Sequence, residues 1–331
     1  MPRTAFAGTG FYVPDRVVTN ADLTHIMDTS DAWIVERTGI RERRWVSEGM
    51  TGAEMARRAS VMALEEAGMD ASQVDAIVLG TLSPDHFFPG TGVFLQRELG
   101  LEGIPALDIR AQCSGFIYGL SVADAWIRAG QYRTVLLVGV EIQSTGLDLS
   151  DRGRDMAVLF GDGAGAAVLV ATDDEQRGVL STHIHADGRN AEVLWTEYAS
   201  SKHHPRISAE MLAEGRHYPR MEGKEVFKHA VSRMPEAVEE ALAANGLESG
   251  DIDLLIPHQA NLRITQMVQR RLGLSDDKVV SNIHRYGNTT AATIPIALAE
   301  VVRDGRLGRG DLLCMVAFGS GFTWGSALVR W

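Results

Sequence analysis

Apolar residues recur at Val226, Phe227, Ala230, Val231, Met234, Val238, Ala241 and Leu242, the spacing of one helix face. Asn245-Gly246 follows as a C-terminal stop signal. Elsewhere the apolar positions form short unbroken runs: Ile77–Leu79, Val135–Val138, Leu254–Ile256 and Leu312–Phe318. Such runs predict strands buried on both faces. Helices alternating with these strands point to an α/β architecture, with helices covering mostly parallel sheets.

The pattern repeats. Leu64, Gly68 and Asp75 match Leu242, Gly246 and Asp253 at an offset of 178 residues. Arg128 and Gly130, downstream of Cys113, match Arg303 and Gly305, downstream of Asn288, at an offset of 175. Two matches in the same order at nearly the same offset predict duplicated halves. The division is expected near residues 171–178, giving halves 1–174 and 175–331.

Duplication brings particular residues together. Cys113 opens a helix after the stretch Ala106–Ile109, and Asn288 opens the equivalent helix of the other half. His258 follows the strand Leu254–Ile256. Active sites of α/β folds gather where strands end and helices begin. A pseudo-twofold relation would therefore place Cys113 beside Asn288 with His258 nearby. A free thiol has a pKa of about 8.5 and attacks as its thiolate. A helix N-terminus is expected to stabilise that thiolate. Each residue also has a structural reading: a small buried hydrophobe for Cys113, a satisfied core histidine for His258, and a turn or cap for Asn288. Cys314 lies within an apolar run and reads as core. The glycine-rich run Gly161–Gly165 lacks a following Gly-Lys-Ser/Thr, so tight backbone packing is preferred to a phosphate loop. His183, His185, His203 and His204 fit no ligand template, and no metal is expected.

Composition narrows the choice. In 331 residues, 45% apolar and 23% charged, there is ample material for a core, which excludes a disordered or fibrous chain. A net charge of −11 disfavours nucleic acid or an anionic membrane as partner. Two cysteines provide neither a disulfide framework nor zinc-ligand spacing. No signal peptide or membrane span is read, so a cytoplasmic protein is expected.

Several longer motifs carry a resemblance. Asp28–Arg41, Cys113-Ser-Gly-Phe, Phe160-Gly-Asp-Gly-Ala-Gly-Ala, Pro257-His-Gln-Ala-Asn-Leu-Arg-Ile, Gly287-Asn-Thr-Thr-Ala-Ala and Phe318-Gly-Ser-Gly-Phe-Thr-Trp-Gly occur in that order. The chain resembles, over nearly its whole length, the β-ketoacyl-acyl-carrier-protein synthase III family, condensing enzymes with the thiolase fold. That fold implies duplicated α/β halves in an α-β-α-β-α layering. The resemblance implies that Cys113 takes an acyl group from acyl-CoA, with acetyl the expected starter. Malonyl-acyl-carrier protein then loses CO2, and His258 and Asn288 donate hydrogen bonds to the thioester oxygen. Backbone N–H groups of Cys113 and Ser320 would form the oxyanion hole; glycine often stands where Ser320 does. Coenzyme A, a substrate rather than a cofactor, would lie between Trp33 and Arg152 at its adenine. Thr29, Arg37, Gly223, Phe227, Ala260, Asn261 and Ile264 would line its tunnel. Lys228 and Arg263 would meet the acidic carrier protein, and Phe88 would cross a homodimer interface to close the partner's acyl pocket.

Other readings share these residues. A longer or branched starter, or the joining of two acyl chains in a specialised pathway, fits the same motifs. A biosynthetic thiolase needs a second active cysteine, which Asn288 and Cys314 do not supply. A Cys/His/Asn thioester hydrolase fits the bare constellation, and a non-catalytic scaffold is the third class. The segment Thr196–Tyr218 reads as longer than in shorter relatives, with a surface excursion preferred to a role in acyl or partner selection.

Overall fold

The computed structural model describes residues 2–331. The first sheet has the order Arg3–Tyr12, Gly163–Thr172, Thr134–Glu141, Ala76–Gly80, Ala106–Ile109. Its first two pairings are antiparallel and its last two parallel. The second sheet runs Gly178–Ala186, Thr323–Arg330, Leu312–Gly319, Leu254–Pro257. Again two antiparallel pairings precede a parallel one. An isolated parallel bridge from Leu255 to Val279 stands where the fifth strand would be. Both sheets are therefore mixed, which corrects the expectation of mostly parallel ones. Thr323–Arg330 returns beside Leu312–Gly319 through a tight turn, and Gly163–Thr172 returns beside Thr134–Glu141 through residues 142–162, whose short helix Arg154–Ala157 does not cross over the sheet to make the strands parallel.

Helices Gly115–Arg128 and Thr293–Arg303 lie between the sheets. Phe116, Ile117, Leu120, Ala297 and Leu298 are wholly buried there, so these two helices are apolar nearly all round. Along Thr134–Glu141, Val135 and Leu137 face this central layer, while Leu136 and Val138 face the outer helix Gly52–Ala67. Leu313 and Met315 likewise face inward, and Cys314 and Val316 face the outer helices Gly223–Ala244 and Leu262–Leu272. Burial on both faces explains the unbroken apolar runs. The α-β-α-β-α layering follows.

The run Gly161–Gly165 is a close approach. A Cβ on Gly161 would lie 2.2 Å from the Tyr286 carbonyl oxygen, and one on Gly165 would lie 2.7 Å from the Ile296 nitrogen. Strand and helix meet backbone to backbone. This presses the loop carrying Asn288 onto the N-terminal half.

Candidate active site

Cys113 sits in the short turn Gln112–Ser114, just before helix Gly115–Arg128, and is 8% exposed. Gln112 takes the left-handed region at φ +46°, which turns the chain sharply out of its strand. Across the cavity, the backbone at Gly319 passes so close that a Cβ there would lie 2.9 Å from the Cys113 Cβ. Only glycine fits.

His258 follows strand Leu254–Pro257, its amide donating to the Val316 carbonyl at 2.8 Å. Its Nδ1 lies 2.6 Å from Thr293 Oγ1. Its Nε2 is buried and, among the described residues, has no partner. Asn288 is fixed by backbone bonds on both sides, its N–H donating to Leu159 and its carbonyl accepting from Gly161. The Asn288 Oδ1 accepts from the Thr290 N–H at 2.8 Å, which identifies that atom as oxygen and leaves the amide nitrogen for the cavity.

Cys113, His258 and Asn288 line one cavity of about 110 Å³. Its wall is otherwise largely apolar, with Leu159, Met221, Val226 and Phe318. Burial pushes the Cys113 thiol up to about 12, with the Glu141 carboxylate adding to the rise. This direction runs against the expectation of a thiolate stabilised by a helix N-terminus, and desolvation, which disfavours the charged form, is its largest cause. Burial also pulls His258 down to about 3, so the imidazole is neutral across ordinary pH.

The same cavity is lined by Gly223, Phe227, Ala260, Asn261 and Ile264. An outer depression shares Gly223, Phe227 and Asn261 and reaches Trp33, Arg37 and Arg263 at the surface. Thr29 is half-buried nearby in sequence, and its Oγ1 has no partner among the described residues. Trp33 has Arg37 at 4.7 Å and Arg154 at 4.9 Å from its ring centre. Arg152 is elsewhere: its Nε holds Asp148 at 2.6 Å and its Nη1 lies 3.5 Å from the Glu214 carbonyl. The structure thus puts Arg154, rather than Arg152, on Trp33. Lys228 is exposed beside Glu225, and Arg263 lies over Phe227. Phe88 is 79% exposed and does not line the cavity of its own chain.

On the other side of Cys113 a second chamber is lined by Leu82, Arg110, Gln112, Gln143, Thr290 and Ser320, among others. Thr196 and Pro219 also face it. The short pairing of Leu194–Trp195 with Arg220–Met221 carries the ends of the 196–218 segment to the site. The reading of that segment as a surface excursion therefore holds only for its exposed middle. Ser320 Oγ donates to the Leu194 carbonyl, tying this hairpin to the glycine turn.

The four histidines separate. His183 and His185 share Glu240, while His203 packs on Tyr198. Cys314 is fully buried in its strand. Sequence reasoning missed Thr293, Arg154 and Glu141. Glu141 had left a signal, as a lone acid ending the apolar run Thr134–Glu141.

Residues 107–188 match the family described as 3-oxoacyl-[acyl-carrier-protein (ACP)] synthase III, and residues 242–331 match its C-terminal region. The β-ketoacyl-[acyl-carrier-protein] synthase III of Xanthomonas campestris is 50% identical, over 98% of this chain and 97% of its own. That of Rhodospirillum centenum is 48% identical over 99% of both. The crystal structure of the Aquifex aeolicus 3-oxoacyl-[acyl-carrier-protein] synthase III superposes with a TM-score of 0.91 at 43% identity, covering 99% of this chain and 100% of the other.

Proposed function

The chain belongs to the 3-oxoacyl-[acyl-carrier-protein] synthase III family, and from that premise we propose how its own residues divide the chemistry. It is an acyltransferase of the thiolase fold that condenses an acyl-CoA with malonyl-acyl-carrier protein. Cys113 is the nucleophile. Its sulfur attacks the acyl-CoA carbonyl, the bond to the CoA sulfur breaks, and the thiol proton leaves with CoA. Backbone N–H groups of Cys113 and Ser320 stabilise the tetrahedral oxyanion. Malonyl-acyl-carrier protein then enters and its C–CO2 bond breaks. The electrons pass into an enolate that His258 Nε2–H and the Asn288 carboxamide stabilise. The enolate carbon attacks acyl-Cys113, and the thiolate departs to leave the β-ketoacyl product.

One observation carries this division. Two neutral donors, each held from behind by a defined partner, line the cavity with Cys113, and among the described residues His258 Nε2 is buried without a partner there. A neutral imidazole and a carboxamide stabilise developing negative charge without competing for a proton.

Acetyl is the starter in this reading. The chamber behind Cys113 mixes polar Arg110, Gln112, Gln143 and Thr290 with apolar Leu82, Met156, Phe160 and Leu194, so the acetyl assignment rests on the family resemblance and on the loading experiment below. Coenzyme A enters along Ile264, Phe227 and Ala260, its nucleotide near Trp33. Lys228 and Arg263 receive the carrier protein, Phe88 serves a homodimer, and the halves divide at 174/175, between strands Gly163–Thr172 and Gly178–Ala186. No helix among the described residues is long and apolar enough to cross a membrane.

Intact-protein mass spectrometry after incubation with acyl-CoAs of rising length tests the reading, with Cys113→Ala as control. An acetyl adduct on the wild type alone, consumed by malonyl-acyl-carrier protein to a β-ketoacyl product, is the expected result. Preferential loading of long chains would overturn the acetyl assignment. Free acid without carbon–carbon bond formation would reveal a hydrolase.

A further inference from the structure

The scheme above leaves one buried acid at the junction of the halves without a task. Glu141 ends strand Thr134–Glu141 and is fully buried. Among the described residues no Lys or Arg pairs with it. Every partner is a neutral donor. Its Oε2 accepts from Ser83 Oγ at 2.6 Å, and from the Ser83 N–H, Thr81 Oγ1 and Gln143 Nε2 at 3.2–3.3 Å. Its Oε1 accepts from the Leu82 N–H at 3.2 Å and, across the junction, from the Ala291 N–H at 3.4 Å.

Ala291 belongs to the turn Thr290–Ala292 that follows Asn288. This turn lies directly on the strand of Glu141, since a Cβ on Gly139 would fall 2.3 Å from the Ala291 carbonyl oxygen. Gln143 adds a second link, its Nε2 donating to Thr290 Oγ1 at 3.0 Å as well as to Glu141. Thr290 in turn gives its N–H to Asn288 Oδ1. It does so from the left-handed region, φ +51°, which a β-branched residue disfavours. The conformation that aims Asn288 is therefore one the local sequence resists. Bonds from outside the turn must hold it.

Stability alone does not explain the acid. A buried carboxylate without a counter-charge is penalised by desolvation, and an apolar side chain of similar volume would avoid that penalty. Its carboxyl is accordingly pushed up to about 7 by burial, against the pull of its hydrogen bonds. We propose that Glu141 is a positioning residue for the condensation, pinning the Thr290–Ala292 turn so that the Asn288 carboxamide faces acyl-Cys113. The proposal rests on the enolate role given to Asn288, and the experiment separates the two.

In Glu141→Gln the new amide group faces N–H donors where an acceptor stood. Decarboxylation of malonyl-acyl-carrier protein is expected to fall about 10- to 100-fold, because a misplaced donor stabilises poorly. Acyl-Cys113 formation should not fall, since Asn288 takes no part in it and loss of the Glu141 charge favours the Cys113 thiolate. The decisive comparison is the double variant with Asn288→Ala. If Glu141 acts through Asn288, the double variant decarboxylates within about twofold of Asn288→Ala alone. Additive losses, as a general structural role would give, overturn the proposal and leave the enolate role standing. Normal decarboxylation in Asn288→Ala alone would instead sink the enolate role. Should Glu141→Gln not fold, Gln143→Met cuts the link to Thr290 and leaves the carboxylate. It is expected to lower decarboxylation about tenfold and to show the same non-additivity. Unchanged decarboxylation in that variant would overturn the proposal.

Discussion

Thr293 Oγ1 lies 2.6 Å from His258 Nδ1 and 3.1 Å from the Thr290 carbonyl oxygen. A hydroxyl has one hydrogen, so it donates to only one of them. Donation to Nδ1 puts the imidazole hydrogen on Nε2, the atom facing the cavity. Donation to Thr290 would make Nδ1 the donor and turn a lone pair toward the enolate. Only the first arrangement stabilises negative charge, and it is the one the enolate role of His258 requires.

Thr293→Val tests that relationship, because it preserves shape and removes the hydroxyl. Decarboxylation of malonyl-acyl-carrier protein is expected to fall about 10- to 100-fold, below the 10²–10³ typical of deleting a donor outright. Acyl-enzyme formation should stay within about threefold, and Thr293→Ser should restore decarboxylation. CO2 release and intact mass read the two half-reactions separately. Equal losses in both would exclude the tautomer role.

The buried thiol sets a second expectation. With Cys113 pushed up to about 12, the thiolate fraction is small at neutral pH and grows about tenfold per pH unit. Alkylation of Cys113 by iodoacetamide in the free enzyme should therefore climb without a plateau from pH 7 to pH 10. His258, neutral throughout that range, adds no step. A plateau near pH 8 would mean an ordinary exposed thiol. In Glu141→Gln the removal of a nearby negative charge should speed alkylation at each pH.

Folding stability carries the signs of the same groups. Between 4.5 and about 7, folded Glu141 keeps a proton that the unfolded chain has lost, so this group makes stability fall as pH rises. His258 acts oppositely. Between about 3 and 6.5 the unfolded chain binds the proton, so stability rises with pH. Glu141→Gln removes the first effect only. Urea unfolding at pH 5 and pH 7 should show the variant's stability changing more favourably toward pH 7 than the wild type's, by up to about 3 kcal/mol. An unchanged slope would place Glu141 near an ordinary carboxylate.

Strands buried on both faces and the duplicated order were legible because a two-sided burial leaves no polar alternation, as at Val135–Val138. The antiparallel returns were not, since an apolar run does not state its direction. Cys113, Asn288 and His258 could be placed by symmetry, as strand ends meet at a pseudo-twofold junction. Their protonation states could not be read, because burial comes from Phe160, Phe318 and Met234, residues distant in sequence. Thr293 is one of several hydroxyls in its stretch, and only the folded helix turns it toward His258. The 196–218 segment misled for a related reason. Its polar composition described the exposed middle, while its hairpin ends were drawn to the cavity by Leu194 and Met221.

Arg152 and Arg154 stand two residues apart, and the family resemblance implied the first as the nucleotide's partner, across the adenine from Trp33. In the folded chain Arg154 is anchored by donating to the Asp28 carbonyl at 2.8 Å and lies over Trp33. Arg152 is taken up by Asp148 and by the end of the 196–218 segment, where a Cβ on Gly215 would fall 2.3 Å from its Nη2. Stacking on an indole is worth roughly 1 kcal/mol, or about fivefold in affinity. Arg154→Ala is therefore expected to raise KM for acyl-CoA about fivefold with kcat within twofold, while Arg152→Ala changes KM by less than twofold. An acyl-pantetheine thioester, which lacks the nucleotide, should be used equally by both variants and the wild type. A larger KM effect from Arg152→Ala would mean that coenzyme A draws Arg152 away from Asp148 and the segment as it binds, and that the Arg154 stack belongs to the empty site alone.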